Sequence, residues 1–213
     1  VILFKLECAV IARNPDFGMQ GRALLQHIDF QSFTVQADGR RWPLRDTYFP
    51  TVNRACPARL SRAEEDVLAR LCQSFAESER LSRHVRFLYA KGGIYKKENG
   101  NLLFHGAVPM EADGRFATVH LGGETFAGRA WMDKCEMLAR QGFFAPPGSA
   151  ARRQGQDFLW YLWCGPLSPV FGRAKMACFE QYFIGEPEAC AEQKNPYYSF
   201  VENEDAAVAG QAV

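Results

Sequence analysis

Apolar residues recur at three- and four-residue steps in two parts of the chain, which is the spacing of one face of an α-helix. Residues 2–13 follow this pattern until Asn14 and Pro15 interrupt it. In residues 61–91 the pattern starts behind Ser61 and Glu64, which are spaced as a capping box, and stops at two consecutive glycines. The pattern therefore predicts a helix over 2–13 and mostly helical structure over 61–91.

Short β-favouring segments flank turn residues at three further places. The segments lie at 32–44 around Asp-Gly, at 94–104 around Asn-Gly and at 116–126 around Gly-Gly. Each pattern predicts a β-hairpin, with Pro43 on an edge strand in the first. The arm at 101–104 is the more apolar of its pair and is expected to lie deeper in a sheet. A helix is predicted over 130–140.

The region after residue 147 changes from polar to aromatic. Residues 148–156 (GSAARRQGQ) are expected to form a mobile loop, and 157–163 (DFLWYLW) a strand or a buried turn. Trp160, Tyr161 and Trp163 are interpreted as core residues rather than as sugar-stacking residues. The longest apolar run, residues 158–164, is far shorter than the roughly 20 residues of a membrane-spanning helix, so no membrane partner is expected.

Composition narrows the class of protein. The 213 residues are 47% hydrophobic, which is enough for a substantial core, and their net charge is +1. A net charge so close to zero produces no positive electrostatic potential over the whole surface, so nucleic acid is not expected as a partner. Seven cysteines occur without a CxxC pair and without a glycosylation sequon, which favours a reducing cytoplasm. Each cysteine is expected to be a small buried side chain.

Chemistry-bearing motifs are sparse. The chain has no phosphate-binding loop, no dinucleotide fingerprint, no HExxH and no GxSxG. Of its four histidines, only His105 stands where an apolar strand meets a glycine, Gly106, which leaves backbone room for a ligand. Neutral imidazole binds divalent transition metals, but one histidine does not define a site, and spacing alone favours a structural role for His105.

Longer segments resemble a known family. The segments are RHVRFLYAKGGIYKKENGNLLFHGAVP (83–109), DFLWYLWCGPLSPVFGRAKMACFEQYFI (157–184), KNPYY (194–198), FKLE (4–7) and the region 46–50. In this order they resemble the class 3 fructose-1,6-bisphosphatases, which belong to the calcineurin-like metallophosphatases. The resemblance implies an α/β fold, in which residues 1–213 are the central part of one catalytic domain: a partial metallophosphatase sandwich with hairpins and a helical insertion at 61–91.

The resemblance also implies roles for individual residues. His105, at the strand end, would be a ligand of a dinuclear manganese centre, and Gly106 would allow close approach of the substrate. Five basic residues within or beside the similar segments are candidates for binding substrate phosphate, although a solvated surface charge is the simpler interpretation of each: Arg83, Arg86, Arg173, Lys175 and Lys194. The family's other metal-binding motifs are not found in this sequence. Catalysis by residues 1–213 alone is therefore not expected.

The function implied by the resemblance is hydrolysis of the 1-phosphate of fructose 1,6-bisphosphate in bacterial gluconeogenesis, in the cytoplasm, and a homo-oligomer is compatible with it. Two alternatives stay open at this point. The chain could be part of a phosphoprotein or dinucleotide metallophosphatase, which use a similar strand-end His-Gly. It could also be a regulatory or binding module without catalytic activity.

Overall fold

The computed structural model describes residues 1–202, which form two compact units. The first unit consists of residues 1–86 and 177–191, and the second consists of residues 87–176 and those from 192 onward. The described residues form eight α-helices and seven short strands, so the chain is of mixed α/β class as predicted. The strands form three small antiparallel sheets of three, two and two strands. A stacked sandwich stays a prediction.

The first unit is built on helix α1 (Ile2–Arg13) and an antiparallel sheet. The sheet contains β1 (Ile28–Asp29), β2 (Thr34–Ala37) and β3 (Arg40–Pro43), with β2 in the middle, which confirms the first hairpin and places Pro43 on an edge strand. Asp38 and Gly39 turn between β2 and β3 with φ of 50° and 73°. Two short helices, α6 (Cys178–Phe183) and α7 (Pro187–Cys190), return late in the chain to complete this unit.

The region 61–91 is helical as predicted, in two pieces. Helix α2 (Arg62–Glu77) ends at Ser78, and α3 (Glu79–Lys91) follows directly. The predicted capping box is present at the start of α2: the Glu64 N–H donates to Ser61 Oγ, and the Ser61 N–H donates to the Glu64 carboxylate. Lys5 Nζ, from α1, donates to the same carboxylate at 2.7 Å, and both side chains are buried.

The second unit contains the two other predicted hairpins. Strands β4 (Tyr95–Glu98) and β5 (Asn101–Phe104) form one, and β6 (Val119–Leu121) and β7 (Glu124–Phe126) form the other. The expectation that β5 lies deep in a sheet is wrong, because β4 and β5 form a sheet of only two strands. Leu103 is 54% exposed, and only the other face of the strand packs on a core cluster that includes Val108 and Met132.

The prediction for residues 148–163 is wrong. These residues form a helix, α5 (Ala150–Cys164), whose N-cap Ser149 accepts a hydrogen bond from the Arg152 N–H. Helix α5 packs on α4 (Gly128–Phe144), and the two backbones touch where Gly155 meets Gly142. The glycine and polar residues that suggested a loop are therefore a helix contact and a solvent-facing side. The last described helix is α8 (Tyr197–Glu202).

Two expectations about burial are confirmed only in part. Cys8, Cys135 and Cys164 are buried, but Cys56, Cys72 and Cys178 are exposed, so the expectation is wrong for those three. Tyr161 is a core residue, whereas Trp163 lies on the outer face of α5 and is 54% exposed. Within residues 1–202, no helix combines the length and the apolar character needed to cross a membrane.

Candidate functional site

His105 directly follows β5, at the end of a well-formed hairpin. Asn99 and Gly100 turn the chain with φ of 50° and 77°, which are the positive values that a two-residue hairpin turn requires. The pairing ends at Tyr95 and Phe104, so His105 is the first residue beyond the ladder. Its side chain is exposed, and within the described residues it has no hydrogen-bond or ion-pair partner. The imidazole is therefore available to a ligand.

Gly106 lies against a neighbouring loop. Its φ is +83°, and a Cβ at this position would come within 2.6 Å of the Val170 carbonyl oxygen and closer still to that of Pro169. The next N–H, of Ala107, donates to the Pro169 oxygen at 3.0 Å. Only glycine combines this conformation with so close a backbone approach. In residues 1–202, Gly106 therefore fixes the strand end against residues 169–170, a role that its predicted function in substrate approach does not describe.

The loop that receives Gly106 is held by a buried serine. Ser168 Oγ donates to the Leu162 carbonyl and accepts from the N–H groups of Val170 and Phe171. The Gly172 N–H then donates to the Ser168 carbonyl. Ser168 is completely buried, so these bonds are not exchanged with water. These hydrogen bonds fix the backbone of residues 168–172, which directly precedes Arg173.

Asn195 joins a third segment to the same place. Its Oδ1 accepts from the Met110 N–H at 3.1 Å and from the Tyr197 N–H at 3.0 Å, and its own N–H donates to the Gly172 carbonyl. The side chain is 6% exposed. Three segments distant in sequence, 105–110, 168–174 and 193–198, thus meet in one hydrogen-bonded scaffold. All three lie within stretches that carry the family resemblance or next to them.

Two of the predicted basic residues stand on this scaffold. Arg173 and Lys194 are opposite each other in an isolated β-bridge, and both are exposed. Arg173 pairs with Glu192 at 2.6 Å, and Lys194 pairs with Glu202 at 3.0 Å. The Lys194–Glu202 pair is exposed on both sides and contributes little free energy, whereas the Glu192 side chain is only 18% exposed. Lys175, nearby in sequence, is half-buried and already has an interaction partner.

The other two predicted basic residues belong to the first unit. Arg83 and Arg86 are exposed on α3 and form no ion pair within the described residues. His105, Arg173 and Lys194 all belong to the second unit. The structure therefore groups the last three and leaves the place of the two arginines relative to them as a prediction.

A groove beside β4 is a feature that the sequence did not indicate. It has a volume of about 700 Å³ and is lined mainly by charged side chains of β4 and α4. Its two carboxylates are already engaged: Asp133 accepts from the Tyr95 hydroxyl, and Glu136 accepts from the Ile94 N–H and from Arg140. Arg140 also donates to the carbonyls of Tyr89 and Gly92. These bonds attach α4 to the end of α3 and the start of β4.

A metal centre does not fit the described residues by themselves. No group of three or more His, Cys, Asp or Glu side chains within residues 1–202 is arranged to hold an ion. A dinuclear centre needs several such donors, including bridging carboxylates. His105 can supply one imidazole, and the rest of the donor set would have to come from outside these residues.

The sequence analysis located His105 and Gly106 but assigned no role to Asn195 or Ser168. A local signal existed for each, because Asn195 precedes Pro196 and Ser168 precedes Pro169, and such pairs favour turns. The signal shows a turn only. It does not show that Asn195 reaches Met110, 85 residues earlier in the chain.

Comparisons with known proteins agree on one family. The family model described as "Firmicute fructose-1,6-bisphosphatase" matches residues 1–209. The chain is 43% identical over 208 residues to a fructose-1,6-bisphosphatase class 3 of Clostridium acetobutylicum, covering 98% of this chain and 31% of that protein. It is 45% identical over 206 residues to the protein of that name from Clostridioides difficile, covering 97% of this chain and 31% of that protein.

A third relative, the fructose-1,6-bisphosphatase class 3 of Listeria monocytogenes, is 42% identical over 204 residues, or 96% of this chain. No solved structure matches the chain. The chain spans 31% of the length of these relatives. Because the family model matches almost every residue, the chain belongs to the Firmicute fructose-1,6-bisphosphatase family.

Proposed function

We propose that residues 1–213 are part of a longer phosphatase that hydrolyses the 1-phosphate of fructose 1,6-bisphosphate. The supporting observation is the 43–45% identity over nearly the whole chain to proteins named fructose-1,6-bisphosphatase class 3. Because the chain spans 31% of those proteins, the activity belongs to the longer protein. Its place would be gluconeogenesis in a bacterial cytoplasm.

The scaffold around His105 would contribute to binding the sugar phosphate. Arg173 and Lys194 are exposed on neighbouring segments, and the carboxylate paired with Lys194 is exposed as well. A guanidinium binds two phosphate oxygens at once, and an ammonium provides a compact charge. These two side chains would bind and orient a substrate phosphate, with Lys175, Arg83 and Arg86 as further candidates.

His105 would serve as one metal ligand in the longer protein, with Mn²⁺ as the ion. Its exposed ring at a fixed strand end, free of hydrogen bonds to the described residues, is compatible with this role. Carboxylates and imidazoles from outside residues 1–202 would complete the donor set. A dinuclear centre activates water and stabilises charge on the phosphoryl oxygens in such enzymes. Residues 1–213 alone are accordingly expected to be inactive.

The longer protein would also complete the fold. Two sheets of two strands and one of three leave many strand edges unpaired. Unpaired edges are normally covered in native proteins. We propose that further strands extend these sheets into the sandwich of a calcineurin-like metallophosphatase.

The test is phosphate release by the full-length protein with Mn²⁺, using fructose 1,6-bisphosphate, a phosphopeptide and a phosphorylated dinucleotide as substrates. We expect the highest kcat/KM for the sugar bisphosphate. A higher value for the phosphopeptide or the dinucleotide would contradict the proposed substrate, and no turnover of any substrate would favour a regulatory module.

The metal role of His105 has a separate test. We expect His105→Ala to lower the bound manganese per chain, measured by elemental analysis, and to lower kcat by a factor of about 100 or more, the scale on which losing a metal interaction acts. His120→Ala is the matched control, because His120 is another exposed histidine of the second unit and lies on β6. Unchanged manganese content in the His105 variant would contradict the assignment.

A further inference from the structure

We propose that the apolar face of α2 is an interface with the part of the full-length protein that lies outside residues 1–213. Its central row consists of Val67, Leu71 and Phe75, which are four residues apart and therefore lie along one line of the helix. The next row around the helix consists of Leu68, Cys72 and Ala76, and Ala69 lies at its edge. We call these seven residues the α2 face.

The α2 face is largely uncovered by the described residues. Val67 is 37% exposed, Leu71 50% and Phe75 64%, and the three small residues are exposed as well. Only Leu68 is half-buried. The opposite side of the helix carries Asp66, Arg70, Gln73 and Glu77, which interact well with water. An amphipathic helix normally turns its apolar side to a core, so this exposure indicates a missing neighbour.

Within residues 1–202, the hydrogen bonds from other segments to α2 are made at its start. Glu64, in the first turn, accepts from Lys5 Nζ, from Thr51 Oγ1 and from the Ser61 N–H, and Glu64 is buried. These bonds fix the position from which α2 extends. The three turns beyond Glu64 carry the exposed α2 face. The start of α2 is thus fixed in the first unit, and its apolar side is exposed to solvent in residues 1–202.

The length of the relatives identifies the occupant. The chain spans 31% of proteins to which it is more than 40% identical, so more than two thirds of such a protein is available to cover α2. The chemistry of the face calls for an apolar helix or sheet surface. The small side chains of Cys72, Ala76 and Ala69 allow that surface to approach this part of the helix closely.

A second copy of α2 is the competing occupant, because two α2 helices packed antiparallel about Leu71 would place Val67 opposite Phe75. The chain spans only 31% of the length of its relatives, which favours a neighbour within the same chain. The dependence of the Cys72 protection on protein concentration distinguishes the two occupants.

Cys72 provides a direct test, because its thiol belongs to the α2 face and is exposed in residues 1–202. The experiment is alkylation of the native full-length protein with iodoacetamide, with the rate at Cys72 read by peptide mass spectrometry. The reference is the same protein unfolded in urea. We expect native Cys72 to react slower by roughly tenfold or more, since a covered thiol reacts only when the contact opens. The protection is expected to be the same at all protein concentrations.

Substitutions give the second readout. We expect Leu71→Glu to lower the unfolding temperature of the full-length protein and to accelerate labelling of Cys72, whereas Gln73→Glu, on the polar side, changes neither. Leu71→Ala serves if the first variant does not fold. Equal labelling of native and unfolded protein would overturn the proposal, and protection that disappears on dilution would overturn it in favour of a second copy. None of these readouts depends on the proposed activity.

Discussion

Gly106 is the residue whose backbone ties the strand end of His105 to the rest of the second unit. We expect Gly106→Ala to destabilise the protein by about 1–3 kcal/mol, because its φ of +83° and its contact with the carbonyls of Pro169 and Val170 leave no room for a methyl group. The measurement is chemical denaturation of the full-length protein. Under the proposed role of His105 as a metal ligand, its displacement should also reduce bound manganese.

The matched control for this variant is Gly148→Ala. Gly148 has nearly the same φ, +78°, but no atom lies within 4 Å of the position of its Cβ. The difference between the two variants therefore measures the contact with residues 169–170 and not the backbone conformation. Equal destabilisation by both substitutions would show that the close approach has no energetic importance.

Glu64 illustrates how burial and hydrogen bonding compete on one carboxyl group. Burial would raise the pKa of Glu64, but hydrogen bonds from Lys5, the Ser61 N–H and Thr51 outweigh it and lower the pKa to about 2. A carboxyl whose pKa is lower in the folded state stabilises the fold above its unfolded pKa. That stabilisation is lost as the pH falls from about 4.5 towards 2.

We expect Glu64→Gln to destabilise the protein at pH 7 by about 3 kcal/mol, because it leaves the buried Lys5 ammonium without its counter-charge. The loss should shrink as the pH falls below 4.5. Glu65→Gln is the control, since Glu65 is exposed in the same helical turn. Thermal unfolding between pH 2.5 and 7 measures both, and a pH-independent difference would contradict the assignment.

The sequence predicts candidate residues well only where their environment is local. His105 and Gly106 stand out because a strand pattern ends there, and the structure confirms that position. Asn195 does not stand out, since its hydrogen bonds join it to Met110 and Gly172, which are distant in the chain. Arg173 and Lys194 are candidates from the sequence, but their adjacency depends on a β-bridge that no local pattern specifies.

Among the elements, the contact of α4 with α5 depends on glycine. At Gly155 a Cβ would lie 2.5 Å from the Gly142 Cα and 2.7 Å from the Leu138 carbonyl oxygen. We expect Gly155→Ala to destabilise the second unit by about 1–3 kcal/mol, because the two helices must move apart. This would outweigh the gain in helix propensity, which is about 1 kcal/mol in an exposed helix.

Gln156→Ala, one position along α5, provides the comparison, because Gln156 is exposed. It should leave stability within about 0.5 kcal/mol of the parent. Circular dichroism during thermal unfolding distinguishes the two variants. A stabilised Gly155 variant would mean that the helices are not in contact at this residue.

The hairpins and the helices over 2–13, 61–91 and 130–140 follow from sequence, because turn chemistry and capping act within a few residues. Residues 148–164 do not follow from it. The glycine at 155 reads locally as a helix breaker, and the aromatic run reads as a strand. Tertiary contact reverses both signals, since Gly155 allows α4 to approach and the buried Phe158 and Tyr161 pack on Trp131 of α4.

At the scale of the whole chain, the first unit combines two distant parts of the sequence, residues 1–86 and 177–191. Arg22 donates to both carboxylate oxygens of Glu180, at 2.6 and 3.1 Å, although the two residues are 158 positions apart. Glu180 is completely buried. Local pattern could not predict this pairing, because α6 is only six residues long and its role depends on the arginine it meets.

Glu7, in α1, interacts electrostatically with this buried pair. Burial raises the pKa of Glu7 to about 7, the nearby Arg22 opposes the rise, and Glu180 adds to it. The folded state therefore holds a proton that the unfolded chain releases near pH 4.5. A carboxyl of this kind makes the protein less stable as the pH rises from about 4.5 to 7, since its ionised form is disfavoured in the folded unit.

Glu7→Gln should remove that loss, because the amide resembles the protonated carboxyl and carries no charge. We expect the variant to be more stable than the parent at pH 8, on the order of 2 kcal/mol, and nearly equal to it at pH 4. Glu186→Gln, at an exposed glutamate of the same unit, should show no such trend. Thermal unfolding across this pH range measures the difference. A Glu7 variant that is less stable at pH 8 would contradict this prediction. It would mean that ionised Glu7 stabilises Arg22, and that Glu7, Arg22 and Glu180 attach α6 to the unit by charge.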